Sequence, residues 1–164
     1  MIYNSPLSLS NGPRTPLLLS EQGGIIGRMH IRKAQKADLP DIIRLAKTCD
    51  LDYAGMEADA FLVAEEGGRI LGMGGLKKHP ECLELCALGV NKKWRGRGWG
   101  DRLVRALIRE APGELYLATI IPDFFARFGF EKATAVHPSM VKKAEWCAGC
   151  RPELCTIMVK EGRK

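Results

Sequence analysis

One stretch of this chain restricts its fold more than any other. A mostly apolar run from Cys82 to Val90 passes through Asn91-Lys92-Lys93-Trp94 into Arg95-Gly96-Arg97-Gly98-Trp99-Gly100, after which Leu103, Leu107 and Ile108 recur at helical spacing. A buried strand that enters a helix through glycines puts the helix N-terminus at the end of that strand. The first turn of a helix leaves amide N–H groups unpaired and carries a partial positive charge, so a diphosphate placed there gains charge-assisted hydrogen bonds. Gly98 and Gly100 lack the Cβ atoms that would hold phosphate oxygens away, Gly96 permits a tight turn, and Arg95 and Arg97 could add side-chain charge. A plain glycine-rich connection with solvated arginines would read the same way in isolation. Context narrows the choice: several strand signals precede the turn, whereas a dinucleotide-binding turn follows the first strand. The Gly-Lys-Ser/Thr ending of a nucleotide P-loop is also missing.

The rest of the pattern surrounds this unit with strands and helices. Met29 to Lys33 reads as a strand, and Asp38 sits where it can cap a helix through Asp41 to Ala46 with Pro40 in the first turn. Ala60 to Glu65 and Arg69 to Leu76 read as strands joined across Glu66-Gly67-Gly68, a hairpin signal. Beyond the second helix, Glu114 to Ile120 is a buried strand, Pro122 to Phe128 a short helix stopped by Gly129, and Thr156 to Val159 a last strand. Antiparallel hairpins followed by a strand-helix-strand unit imply an α/β fold with a mixed sheet flanked by helices.

With 164 residues, 46% of them hydrophobic, the chain can bury one substantial core. Residues 1–28 show no periodicity and contain Asn11-Gly12-Pro13, Pro16 and Gly23-Gly24, which predicts a flexible N-terminal arm before a domain spanning 29–164. That arm could equally be an over-extended start. The formal net charge of +6 is concentrated at the glycine turn and the C-terminus, which suits an anionic small ligand or an acidic substrate. Exposed aromatics or a reading helix, the usual company of nucleic-acid-binding basic residues, are not evident at 7% aromatic content. No apolar run approaches the roughly 20 residues of a membrane span, so the expectation is a cytoplasmic protein with reduced thiols and no membrane or nucleic-acid partner.

The motif Arg95-x-x-Gly98-x-Gly100 after the strand Leu83 to Val90 resembles the signature of the GNAT superfamily of N-acetyltransferases. The Phe124 to Phe130 segment, Phe-Phe-Ala-Arg-Phe-Gly-Phe, looks like that family's second marker. The resemblance covers Met29 to the C-terminus. It implies a mostly antiparallel mixed central sheet with a splayed strand pair, acetyl-CoA as donor, and a backbone at Leu88-Gly89-Val90 that pairs with the pantetheine arm. The turn Arg95, Gly96, Arg97, Gly98, Trp99 and Gly100 would then hold the coenzyme's diphosphate. Glu84, eleven positions ahead of Arg95, is similar in placement to the general-base glutamate of histone-acetylating members. An outward-facing carboxylate or an ion-pair partner is the alternative for Glu84, and Glu81 competes nearby. Many members use a tyrosine as acid for the departing thiolate where this chain has Phe125, so no general acid is assigned, although Tyr116 is available.

The runs Glu84 to Val90 and Leu117 to Phe130 also look like short bacterial N-acetylglutamate synthases and their relatives. If the likeness carries over, the acceptor is the α-amine of glutamate or a similar amino acid, with Arg127 a candidate clamp for its carboxylate. A non-catalytic acyl-CoA-binding protein or a peptide acetyltransferase remains open. Cys147-x-x-Cys150 followed by Cys155 has spacing that could hold zinc, with His137 or a second subunit of a homodimer supplying a fourth ligand. Reduced cysteines packing the last elements are the alternative. His79, in a loop beside Pro80, reads as solvated.

Overall fold

The structure, a computed structural model, describes residues 29–141 and 151–162. The predicted N-terminal arm, Cys147 and Cys150 lie outside the described residues. Seven strands form one sheet: β1 (His30–Lys33), β2 (Phe61–Glu66), β3 (Arg69–Lys78), β4 (Leu83–Val90), β5 (Leu115–Thr119), β6 (Glu131–Lys132) and β7 (Thr156–Lys160). Their spatial order is β1-β2-β3-β4-β5-β7-β6. Every neighbouring pair is antiparallel except β4 and β5, which run parallel and meet at a single rung, Glu84 opposite Tyr116. The mixed, mostly antiparallel sheet with a splayed pair expected from the sequence is therefore present.

Helix α1 (Leu39–Cys49) and helix α2 (Trp99–Glu110) cover opposite faces of the sheet. The stripe Leu103, Val104, Ala106 and Leu107 of α2 packs on Leu62, Leu71, Leu85, Leu88 and Val90, and α3 (Pro122–Ala126) closes this layer with Phe125. On the other face Ile42, Leu45, Ala46 and Cys49 of α1 pack on Phe61, Val63, Met73 and Cys86. Burial of a Leu or Phe side chain contributes about 1.5–3 kcal/mol. The two apolar layers therefore hold the sheet from both sides. Asp38 stands at the cap position of α1, but its side chain makes no capping bond there. Its carboxylate instead accepts from the Gln35 N–H at 2.7 Å and from Arg32 at 2.6 and 3.0 Å, tying the helix entry to β1.

The irregularity that shapes the centre of the molecule lies in β4. Met73 pairs with Gly89 and Gly75 with Cys86, so two residues of β4, Ala87 and Leu88, oppose one of β3. Ala87 takes φ 49°, although it carries a side chain and is fully buried. Such a left-handed residue costs about 1–2 kcal/mol and marks a bulge that adds local twist. The bulge also resets the alternation: Cys86 and Ala87 both face α1, while Leu85, Leu88 and Val90 face α2. Glu84, below the bulge, points away from α2, as does its rung partner Tyr116.

Candidate active site

Beyond their one rung β4 and β5 diverge, and the gap opens into a cleft of about 740 Å³. Leu88, Gly89 and Val90 form one wall, Ile120, Ile121, Pro122 and Phe124 the other, and Arg95, Gly96, Gly98, Trp99 and Gly100 close the end. The turn is anchored to the sheet: the Asn91 N–H donates to Leu71 O at 2.8 Å, and the Asn91 side chain accepts from the Lys93 N–H at 3.0 Å. Gly96 and Gly98 take φ 76° and 80°, the left-handed region that glycine enters without steric cost. A Cβ built on either would meet no protein atom within 4 Å, so both glycines front open space. The first helical rung is Arg102 N–H to Gly98 O at 3.1 Å, which leaves the amides of Trp99, Gly100 and Asp101 ahead of it without an intrahelical acceptor. Glycines facing open space beside a 12-residue helix's first turn fit a diphosphate.

The larger side chains of the turn make their contacts within the protein, and the packing of Trp99 is the bland alternative to a cofactor contact that its sequence position allows. The Arg95 side chain folds back, donating from Nε to Val90 O at 3.0 Å and resting its Nη2 3.9 Å from Cys49 Sγ. It braces the end of β4 against α1. Arg97 is exposed and stacks over the Trp94 ring at 4.6 Å. The Trp99 indole is 1% exposed and packs in the α2 layer, so Trp99 meets the cleft mainly through its backbone; its Nε1 finds no partner among the described residues.

Arg127 also lines this cleft, on the side of the sheet covered by α2. Its Nη2 pairs with Asp101 Oδ1 at 3.1 Å, and its guanidinium lies over Phe124 and Phe128. Glu84 and Tyr116 project from the opposite face, whereas the neighbours of Arg127 are Asp101, Phe124 and Phe128.

Glu84 is 1% exposed, and its Oε2 lies 2.7 Å from His79 Nε2. The expectation of a solvated His79 is therefore corrected as well: its side chain is 13% exposed and turned inward. The tight β3–β4 connection explains this, because the His79 N–H donates to Cys82 O at 2.8 Å and folds the ring back over β4. Tyr116 completes this side, with His137 edge-on to its ring at 4.9 Å. Burial, together with the nearby Glu114 and Cys82, pushes the Tyr116 phenol above its ordinary value, so it stays protonated at neutral pH. Phe125 is fully buried in the α2 layer. Cys155 is half-buried against the Tyr116, Ala118 and Met140 cluster, and no group of three metal-ligating side chains occurs among the described residues.

The profile of the acetyltransferase (GNAT) family matches residues 28–130. The chain belongs to this family. Among curated relatives of this GNAT chain, the amino-acid acetyltransferase of Neisseria meningitidis is 28% identical over 120 residues, covering 63% of this chain and 28% of the relative. An acetyltransferase of Photorhabdus laumondii is 32% identical over 111 residues, 58% of this chain and 76% of the relative. The fold is similar to the N-acetylglutamate synthase of Neisseria gonorrhoeae solved with coenzyme A and N-acetyl-glutamate. That match has a TM-score of 0.65 at 22% identity and covers 84% of this chain and 36% of that one. A Mycobacterium tuberculosis protein solved in complex with CoA is similar over 80% of this chain and 98% of its own, with a TM-score of 0.61 and 22% identity. The GNAT chain thus spans 28% of the Neisseria meningitidis relative and 36% of the synthase structure. No helix among the described residues is long and apolar enough to cross a membrane.

Proposed function

We propose that residues 29–164 form an acetyltransferase domain that moves an acetyl group from acetyl-CoA to the amine of a small molecule, the α-amine of glutamate or a similar amino acid. The observation that carries this reading is the cleft between splayed β4 and β5, ending on left-handed Gly96 and Gly98 at the start of α2. The amides of the turn would hold the diphosphate, and the main chain of Leu88-Gly89-Val90 would pair with the pantetheine arm. The amino-acid class of acceptor is supported by the likeness to the Neisseria amino-acid acetyltransferase.

The attacking amine must be neutral, and an α-amine that is mostly protonated at pH 7 must first give up a proton. Glu84 is the base in this reading, reached directly or through one water. The amine nitrogen then attacks the thioester carbon, and a backbone N–H of Leu88 to Val90 stabilises the oxyanion. The nitrogen gives up its second proton to water as the C–S bond breaks, and the departing thiolate takes a proton from water. No acyl-enzyme forms. A buried Phe125 where many members carry a tyrosine gives some support to a second reading, a regulatory protein that binds acyl-CoA without turnover.

A panel of free amino acids with acetyl-CoA, followed by the released thiol, tests the proposal. Thiol release with glutamate or a related amino acid is the expected result. Turnover confined to peptides would reject the acceptor class, and coenzyme binding with no turnover on any amine would leave the regulatory reading.

A further inference from the structure

We propose that His79 is the positioning residue of the acceptor site, which holds the Glu84 carboxylate ionised and aimed, so that the pair rather than Glu84 alone sets the pH dependence of turnover. The inference rests on the reading of Glu84 as the base. Its starting point is geometric: Glu84 Oε2 and His79 Nε2 are 2.7 Å apart, with side-chain exposures of 1% and 13%.

A carboxylate this deeply buried is favoured in its neutral form unless donors compensate the lost water. An imidazole N–H at hydrogen-bond distance is such a donor, and the charge it stabilises is the one a base requires. The ring is held for this task by its own backbone, since the His79 N–H to Cys82 O bond closes the β3–β4 turn and Pro80 follows directly. The ring's partial exposure lets it exchange with solvent while Glu84 itself is shielded.

The groups around the pair all bear on its titration. Lys77 on β3 is the cross-strand neighbour of Glu84, and Tyr116 on β5 is its parallel neighbour. Glu81 and Cys82 lie in the turn, Cys86 follows on β4, Glu114 precedes β5, and His137 and Ser139 come from the segment after β6. The Glu81 carboxyl is held below its ordinary value, first by the hydrogen bond from Ser139 and further by the nearness of His137 and His79. Glu81 therefore stays anionic and occupied on the outer side, while Glu84 occupies the inner one.

The test is the pH profile of kcat at saturating acceptor for the wild type, His79→Ala, His79→Gln and Glu84→Gln. With one donor fewer, Glu84 protonates more readily. The acid limb of His79→Ala should therefore move up by about one to two pH units, the shift expected for one hydrogen bond to a charged group. On the acid side of the limb its rate should fall by about 10- to 100-fold and recover as pH rises. His79→Gln, whose amide N–H can donate from a similar place, should bring the limb back toward its original position. Coenzyme binding by titration calorimetry, which uses the opposite face of the sheet, should be unchanged in both and so reports folding. An acid limb that stays put in His79→Ala, whatever the change in kcat, would overturn the inference. Should His79→Ala not fold, a limb in His79→Gln displaced as far as expected for loss of the donor would overturn it too. Failure of the underlying reading looks different: Glu84→Gln would then turn over at the wild-type rate.

Discussion

Substituting Gly98 by alanine separates what the glycine does for the chain from what it does for the coenzyme. In the absence of ligand the cost is conformational: φ is 80° there, and an alanine held in that region loses about 1–2 kcal/mol. No steric term is added within the protein, because the new Cβ meets no atom within 4 Å. Gly68, in the β2–β3 hairpin, provides the control, with φ 77° and equally open surroundings. Both variants should lose about 1–2 kcal/mol, a drop of roughly 2–4 °C in Tm per kcal/mol for a domain of this size. They should part on titration with acetyl-CoA. If the Gly98 Cβ holds the diphosphate off one amide, a single charge-assisted hydrogen bond worth about 1.5–3 kcal/mol is lost, and Kd rises by roughly 10- to 100-fold. Gly68→Ala should bind as the wild type does. Thermal scans and calorimetry on the three proteins decide the matter. Equal Kd for Gly98→Ala and Gly68→Ala would refute the reasoning, because the open space above Gly98 would then not be where the diphosphate sits.

Three further outcomes follow from the packing and the charges. Arg32 lowers the Asp38 carboxyl below its ordinary value, so the stability it contributes is present above the unfolded carboxylate value and is lost as pH falls through the folded one. Asp38→Asn should therefore cost about 1–2 kcal/mol in denaturant titrations at pH 7, with the gap closing only well below pH ~4. In Gly74→Ala the new Cβ would lie 2.6 Å from Leu107 Cδ1, an overpacking expected to cost about 1–3 kcal/mol. Leu107→Ala alone should cost about 2–5 kcal/mol, and the double variant should lose less than the sum by urea melts, since the shortened side chain removes the clash. Asp101→Asn should weaken the start of α2 by about 0.3–1 kcal/mol yet tighten acetyl-CoA, because it removes a carboxylate beside the anion site and frees Arg127. That gain should shrink in calorimetry at high salt.

Most of the strand-turn-helix unit around the glycine turn was legible from residue order, because its determinants are local. A strand, a turn and a helix follow one another from Leu83 to Glu110, and the glycines that shape the turn are themselves the signal. The hairpin across Gly67-Gly68 and the stop at Gly129 were readable for the same reason: each of these glycines takes a positive φ. The bulge in β4 was not. A reader looking for a left-handed residue there would choose Gly89, which instead serves close approach, since a Cβ on it would lie 2.6 Å from Leu51 Cδ1. The left-handed position falls on Ala87, where only the register against β3 reveals it.

The surroundings of Glu84 were hidden because their contacts are made across elements. Periodicity assigns Glu84 to a strand but cannot say which face is shielded, and His79 looks like an ordinary loop residue until the turn folds its ring onto that strand. The side-chain placement of Arg95 depends on such contacts too. Its motif suggested a charge offered to phosphate, yet the guanidinium is drawn back to Val90 O and Cys49 Sγ, contacts that exist only once α1 has packed beneath β4. The same reversal gives Arg95 a consequence for the cleft. By pinning the carbonyl at the end of β4, it holds the wall of the gap and the start of the turn in a fixed relation. In the proposed reading the turn's main chain, with the helix end behind it, would meet the coenzyme's diphosphate through backbone amides whose positions the sheet has already set.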